Sequence, residues 1–199
     1  MNRQNILPYD GDAYLIHDTE GACEWPEITT RLAETVPWRI ETARLFGREM
    51  PVPRMTAWFG NVDYTYSGIR HRAAPFPAIV QLLRERAENI SSASYNAVLL
   101  NLYRSGGDSV GWHSDNEAGL GDCPTIASLS LGATRRFQFR HRRAKETITL
   151  ELREGALARN GGRDPTLLDS SGAENYVGCW ATHQSYIPAH DPRGLIARR

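Results

Sequence analysis

Tyr95-Asn96-Ala97-Val98-Leu99-Leu100-Asn101-Leu102-Tyr103, followed beyond the turn Arg104-Ser105-Gly106-Gly107-Asp108 by Gly111-Trp112-His113-Ser114-Asp115-Asn116-Glu117, is the stretch that decides how this chain folds. Side chains alternate across a strand with a period of two. Tyr95, Ala97, Leu99, Asn101 and Tyr103 therefore share one face, and Asn96, Val98, Leu100 and Leu102 share the other. A strand apolar on both faces is covered on both. Asn101 and Tyr103 are then polar groups on an inner face, where they need partners. If the second segment is extended, it puts His113 and Asp115 on one face, two residues apart. A neutral imidazole and a carboxylate are two of the three ligands of a facial triad, which leaves positions on Fe(II) open. Alone, His-x-Asp is a weak pattern, more often a pair of surface residues. The Asn101 amide and Tyr103 phenol strengthen it, because they can hold a dicarboxylate beside a metal. Taken without the His-x-Asp segment, they read rather as satisfied core polar groups.

Outward from this stretch, the periodicities change. Trp25 to Val36 reads as a short helix entered through Pro26 and ended before Pro37. Arg54 to Tyr66, rich in aromatic residues and Thr, reads as extended. Phe76, Ile79, Val80, Leu83, Ala87 and Ile90 recur at helical spacing and form one packing stripe. Thr125 to Leu131, Arg136 to Arg140 and Thr147 to Leu152 read as further short strands. Several short strands after an N-terminal α/β region point to a jelly-roll-like barrel. After Leu157 the pattern stops. Arg159 to Pro165 and Asp169 to Asn175 show neither period, so the last strands are not expected from the sequence as it stands.

Lys plus Arg equals Asp plus Glu at 23 each, so net charge neither supports nor excludes a nucleic-acid partner. The three cysteines, Cys23, Cys123 and Cys179, are too few and too irregularly spaced for a disulfide framework or a zinc site. The start has no long apolar segment and no run approaches a membrane span. A cytoplasmic monomer without membrane contact is the expectation.

Val98 to Tyr103, His113-Ser114-Asp115-Asn116-Glu117, Pro124 to Ala133 and Arg136 to His141 together resemble the AlkB family of dioxygenases. Pro53-Arg54 followed by Tyr64-Thr65-Tyr66-Ser67-Gly68 is similar to its DNA-repair members, and the resemblance runs from roughly Pro37 to Leu157. It implies an α+β fold: a double-stranded β-helix (jelly-roll) core over residues 94–199, with an N-terminal extension and α/β nucleotide-recognition lid over residues 1–93. It implies Fe(II) as cofactor, with 2-oxoglutarate and O₂ as co-substrates. It implies oxidation of N-alkyl groups on nucleic-acid bases, DNA or RNA, to a hemiaminal that falls apart to aldehyde and repaired base. By the resemblance, His113 and Asp115 bind Fe(II), and Asn101 and Tyr103 contact 2-oxoglutarate. Tyr64, Tyr66 and Ser67 line the nucleotide lid, and Glu117 approaches the damaged base. The chemistry suits those roles. A base that leaves its stack is repaid by aromatic faces, and a cationic methylated base favours a nearby carboxylate. Arg135, Arg136, Arg140, Arg142 and Arg143 offer phosphate contacts, or a solvated charged face.

The resemblance also implies a distal histidine as third iron ligand and an arginine for the far carboxylate of 2-oxoglutarate, in a closing strand R-x-N-x-T-F-R. Neither motif is present. His183 and His190 are available, but their flanks match nothing in the family. We read the segment after about Leu157 as frameshifted. Taking the last two bases of each codon with the first of the next, Trp180 and Ala181 give Gly with no freedom. Choosing synonymous codons elsewhere, Ala158 to Thr166 can read L-V-M-A-G-E-T-Q-H, and Leu167 to Glu174 can read Y-W-I-H-R-V-P-K. Trp180 to Pro188 can read G-P-R-I-N-L-T-F-R. These are the missing motifs in order, with the distal histidine under the codon of Ser170 and the arginines under those of Thr182 and Pro188. Without that restoration the chain is expected to bind iron and 2-oxoglutarate poorly, which leaves a nucleic-acid-binding remnant, or an oxygenase acting on another substrate, as alternatives.

Overall fold

A computed structural model of the chain describes residues 4–8, 11–18, 21–45, 47–61, 63–66, 69–114, 124–161, 168–172 and 176–181. Thirteen strands and two helices occur among them: β1 (Asp12–His17), α1 (Trp25–Thr35), β2 (Arg39–Leu45), β3 (Arg48–Gly60), β4 (Tyr64–Tyr66), β5 (Ile69–His71), α2 (Ala78–Ser91), β6 (Ala97–Leu102), β7 (Val110–His113), β8 (Thr125–Ser130), β9 (Arg135–His141), β10 (Thr147–Leu152), β11 (Ala156–Gly161), β12 (Leu168–Gly172) and β13 (Tyr176–Ala181).

The helices form where the spacing expects them. Pro26 opens α1, and Val36 leaves it in extended conformation ahead of Pro37. Trp25, Ile28 and Leu32 of α1, and Ile79, Val80, Leu83 and Ala87 of α2, are the buried stripes. Both stripes enter one core cluster with Val98 and Leu100 of β6, Ala127 and Leu129 of β8, and Leu157 of β11. The helices thus cover the outer face of a seven-stranded sheet of order β1-β11-β8-β13-β6-β3-β2. A four-stranded sheet, β10-β9-β12-β7, supplies Phe137, Phe139 and Leu152 to a second cluster with Ala13, Ala156 and Ala158 of the larger sheet. Two sheets packed face to face, joined by strands that alternate between them, are the jelly-roll arrangement expected. The strand β6 is buried on both faces: Val98 and Leu100 meet the helices, while Ala97 and Leu99 pack with Trp58 and Ile126.

The last strands correct the sequence-based expectation. Leu168–Gly172 and Tyr176–Ala181 carry no period, yet both are strands. The first pairs with β7 and β9, and the second fills the gap between β6 and β8. Two ladders already lined by open N–H and C=O groups draw in a strand through its backbone, which every residue type here can offer. The N-terminal strands β1, β2 and β3 pair into the same large sheet, and β4 with β5 forms a separate hairpin. No helix among the described residues is long and apolar enough to cross a membrane.

Candidate active site

Asn101 ends the inner face of β6 and is 6% exposed. Its Oδ1 accepts a hydrogen bond from Arg54 Nε at 2.8 Å, and Arg54 is itself buried. The register explains the meeting, since Thr56 of β3 is the partner of Asn101 and Arg54 lies two residues along the same face. A guanidinium can only donate, so it fixes the amide with oxygen toward itself. The two N–H donors of Asn101 then face the other way, suited to a carboxylate. Sequence reading gave Arg54 no role; the only signal was its place after Pro53.

Tyr103, 2% exposed, follows at the end of the same face. The Arg135 guanidinium of β9 lies 5.4 Å from the centre of its ring, a cation–π contact between the two sheets. Arg135 also donates to Ser105 O and Asp108 O at 3.1 Å each. The turn between them is closed by Arg104, whose Nε and Nη2 donate to the two Asp108 carboxylate oxygens at 2.8 and 3.0 Å. The Arg104 side-chain and backbone hydrogen bonds hold the Asp108 carboxyl below its usual range, and Asp108 raises Arg104 in return. Arg135, offered above as a phosphate contact, therefore holds Tyr103 and its turn. Arg140 lies 4.2 Å over the Trp112 ring, while Arg136, Arg142 and Arg143 are exposed.

His113 closes β7. Its Nδ1 lies 2.9 Å from Gly111 O, so with the proton on Nδ1 the lone pair sits on Nε2, the atom a metal takes. Asp115 and Glu117, the remaining His-x-Asp and base-contact candidates, lie outside the described residues, as do Ser67, His183 and His190. Tyr64 and Tyr66 form β4, paired with His71 and Ile69 of β5. Among the described residues, no three His, Cys, Asp or Glu side chains come together as a metal site. The residue across the ladder from His113 is Ser170. Asn101 thus lies in the large sheet with its amide held by Arg54, and His113 ends β7 of the smaller sheet.

A second buried polar cluster was not anticipated. His71 Nδ1 lies 3.2 Å from Glu41 Oε1, and the His71 ring is 5.9 Å from that of Trp58, which is 8% exposed. The sequence gives no signal for this pair, since thirty residues separate them.

A family model, the 2OG-Fe(II) oxygenase superfamily, matches residues 12–165. Alpha-ketoglutarate-dependent dioxygenase alkB homolog 3 of Homo sapiens is 44% identical over 114 residues, which is 57% of this chain and 40% of that protein; the Mus musculus protein gives the same figures. DNA oxidative demethylase ALKBH2 of Mus musculus is 33% identical over 150 residues, 69% of this chain and 63% of that protein. The chain therefore spans less than two thirds of the length of these relatives. The structure of OsALKBH1 superposes with a TM-score of 0.57 at 12% identity, covering 87% of this chain and 99% of that one. An oxidoreductase of the 2OG-Fe(II) oxygenase family from Burkholderia pseudomallei gives 0.54 at 11% identity, covering 86% and 85%. At those identities the likeness is one of fold.

Proposed function

This chain belongs to the 2OG-Fe(II) oxygenase superfamily and is AlkB-like, and we propose from that membership that its site serves the oxidative dealkylation of N-alkylated bases in DNA or RNA. The observation that carries the reading is the buried Arg54–Asn101 hydrogen bond with Tyr103 next along the same face, in the large sheet, while His113 ends β7 of the smaller sheet. Bound Fe(II), 2-oxoglutarate and O₂ would supply the oxidation, one oxygen atom going to the alkyl carbon and one to 2-oxoglutarate as it becomes succinate and CO₂. His113 and Asp115 would hold the iron. Asn101 would donate to a 2-oxoglutarate carboxylate with its amide aimed by Arg54, and the Arg135-braced Tyr103 would wall the same pocket. Tyr64, Tyr66, Ser67 and Glu117 would receive the base. The similarity to proteins named as DNA oxidative demethylases supports this substrate class.

The second reading, a nucleic-acid-binding remnant with impaired turnover, is favoured by the serine at position 170. We hold the two together through the frame-shifted reading of the segment after Leu157. The register supports it, bringing Ser170, whose codon would overlap the distal histidine, opposite His113. Sequencing the coding DNA across Glu154 to Arg199 tests the frame: codons that do not spell the histidine and R-x-N-x-T-F-R in the shifted frame refute it. The function is tested by incubating the purified chain, and the chain with the restored frame, with Fe(II), 2-oxoglutarate and oligonucleotides bearing single N-methylated bases. Loss of the methyl group by mass spectrometry with matching succinate is expected of the restored chain. Turnover on none of the bases overturns the dealkylase reading.

A further inference from the structure

The β4–β5 hairpin ends on His71, which reaches into the body of the protein. His71 and Glu41 are almost closed to solvent, with side-chain exposures of 7% and 14%. Glu41 stands where the β2–β3 ladder slips, its register passing from Ile40↔Met55 directly to Thr42↔Pro51. Pro51 and Pro53 have no N–H to donate, so the ladder cannot run evenly through them. A slip of this kind turns a side chain out of the regular alternation. Here the carboxylate meets the imidazole of a different hairpin, and Trp58 of β3 covers the ring at 5.9 Å between centroids. Arg39 and Ile40 of β2 and Arg70 and Arg72 beside His71 line a cavity of about 460 Å³ along this junction.

We propose that Glu41 and His71 are a positioning pair that pins the β4–β5 hairpin to the large sheet and thereby sets the affinity of the protein for its nucleic-acid strand. The proposal rests on the dealkylase reading of the site for the identity of the strand, and on the Glu41–His71 geometry alone for the pinning. The hairpin carries Tyr64 and Tyr66, so its attachment governs where those residues stand. A hydrogen bond to a carboxylate, once shut away from water, is stronger than a neutral one.

The pair also makes the attachment sensitive to acid. Glu41 faces His71 from β2 and Arg54 from β3, while Arg39, Arg70 and Arg72 line the adjoining cavity. Asp63 is engaged by Arg70 at 2.7 Å and by the Ala73 amide. Burial lowers the His71 imidazole from its ordinary 6.5; Glu41 offsets part of this and Arg54 adds to it. The pinned imidazole is therefore neutral at neutral pH and donates through Nδ1–H. A released, hydrated imidazole takes up a proton first as pH falls. Attachment is complete above the ordinary histidine value and weakens as pH drops below it.

The test uses the full chain and two readouts. Hydrogen exchange is followed at the amides of residues 64–66 and 69–71, and anisotropy reports binding of a fluorescein-labelled single-stranded oligonucleotide with one N-methylated adenine. Neither needs iron or turnover. His71→Leu and Glu41→Ala are expected to speed exchange in the hairpin and weaken oligonucleotide binding about tenfold. Glu41→Gln, which keeps an acceptor for Nδ1–H, should restore both toward the unmodified protein. Between pH 7 and pH 5.5 the unmodified protein should lose affinity and hairpin protection, and His71→Leu should not. Hairpin exchange that is unchanged in His71→Leu and Glu41→Ala overturns the proposal. So does Glu41→Gln behaving as Glu41→Ala, which marks a packing role instead. If the unmodified protein binds no oligonucleotide, the nucleic-acid reading falls, and the exchange data still decide the pinning.

Discussion

Ser170 of β12 is the ladder partner of His113 of β7 and, on its other side, of Phe139 of β9. Directly opposed positions share one face of a sheet, with Cβ atoms about 5 Å apart. Phe139 is 1% exposed and lies in the core between the sheets, so position 170 stands on the inner face beside the imidazole of His113. Two imidazoles so placed, with the carboxylate of a His-x-Asp segment, make a 2-His-1-carboxylate set. Ser170→His is therefore expected to tighten binding of Fe(II), or of Co(II) as an air-stable probe, by at least about tenfold. Anaerobic titration calorimetry measures it. Equal affinity in the two proteins excludes position 170 as the deficient ligand position.

The Arg54–Asn101 hydrogen bond predicts a coupling. Each residue leaves the other with an unsatisfied buried group when truncated, a cost of about 1–3 kcal/mol. Arg54→Met and Asn101→Ala should each lower stability to urea. The double variant should be less destabilised than the sum, by about 1–3 kcal/mol. Additive effects in the urea midpoints would show that the two side chains do not depend on each other.

What the sequence disclosed follows from how local the signal is. The strand β6 was legible because its alternation covers both faces, and α2 because Ile79, Val80, Leu83 and Ala87 trace one stripe. His113 could be placed on extended backbone, and the buried Asn101 and Tyr103 on one face, by the same period. β12 and β13 were not legible, since their formation depends on edges left open by β7, β9, β6 and β8 rather than on their own residues. The Glu41–His71 contact was hidden for a related reason: it depends on a register slip imposed by prolines on the neighbouring strand. Arg135 shows the limit of reading charge alone. As a member of a basic run it suggested phosphate, whereas its reach across the sheets to Tyr103 and the 104–108 turn is a tertiary fact.

Gly155 is required by two conditions at once. Its φ is +76°, in the left-handed region, and an added Cβ would collide with Trp25 Nε1 and come within 3.1 Å of Asp18 O. Gly155 also accepts from Asp18 N at 3.0 Å, tying the end of β1 to the start of β11. Gly155→Ala should cost about 2 kcal/mol or more through backbone strain and displacement of Trp25. The denaturation midpoint should fall while Trp25 fluorescence shifts toward that of an exposed indole. A midpoint equal to that of the unmodified protein would contradict both conditions.

Asp108 predicts a pH dependence with a definite sign. Its carboxyl is held below the ordinary aspartate value first by the Arg104 side chain, then by the Arg104 backbone amide, with Arg135 assisting. A carboxyl with a depressed folded-state pKa binds fewer protons folded than unfolded in the window between the two values. Its contribution is complete above about 3.9 and is lost as pH falls through the lower, folded-state value. Asp108→Asn removes the charge at every pH, so its melting temperature should lie below that of the unmodified protein at pH 7. The gap should close progressively below pH 4, as the unmodified carboxyl also becomes neutral. Because the same turn fixes Arg135 on Tyr103, the loosened ring of Tyr103 should appear as reduced near-ultraviolet circular dichroism in the variant at pH 7. A gap of constant size from pH 7 to pH 3 would mean that Asp108 holds the turn by shape and neutral hydrogen bonds rather than by its charge.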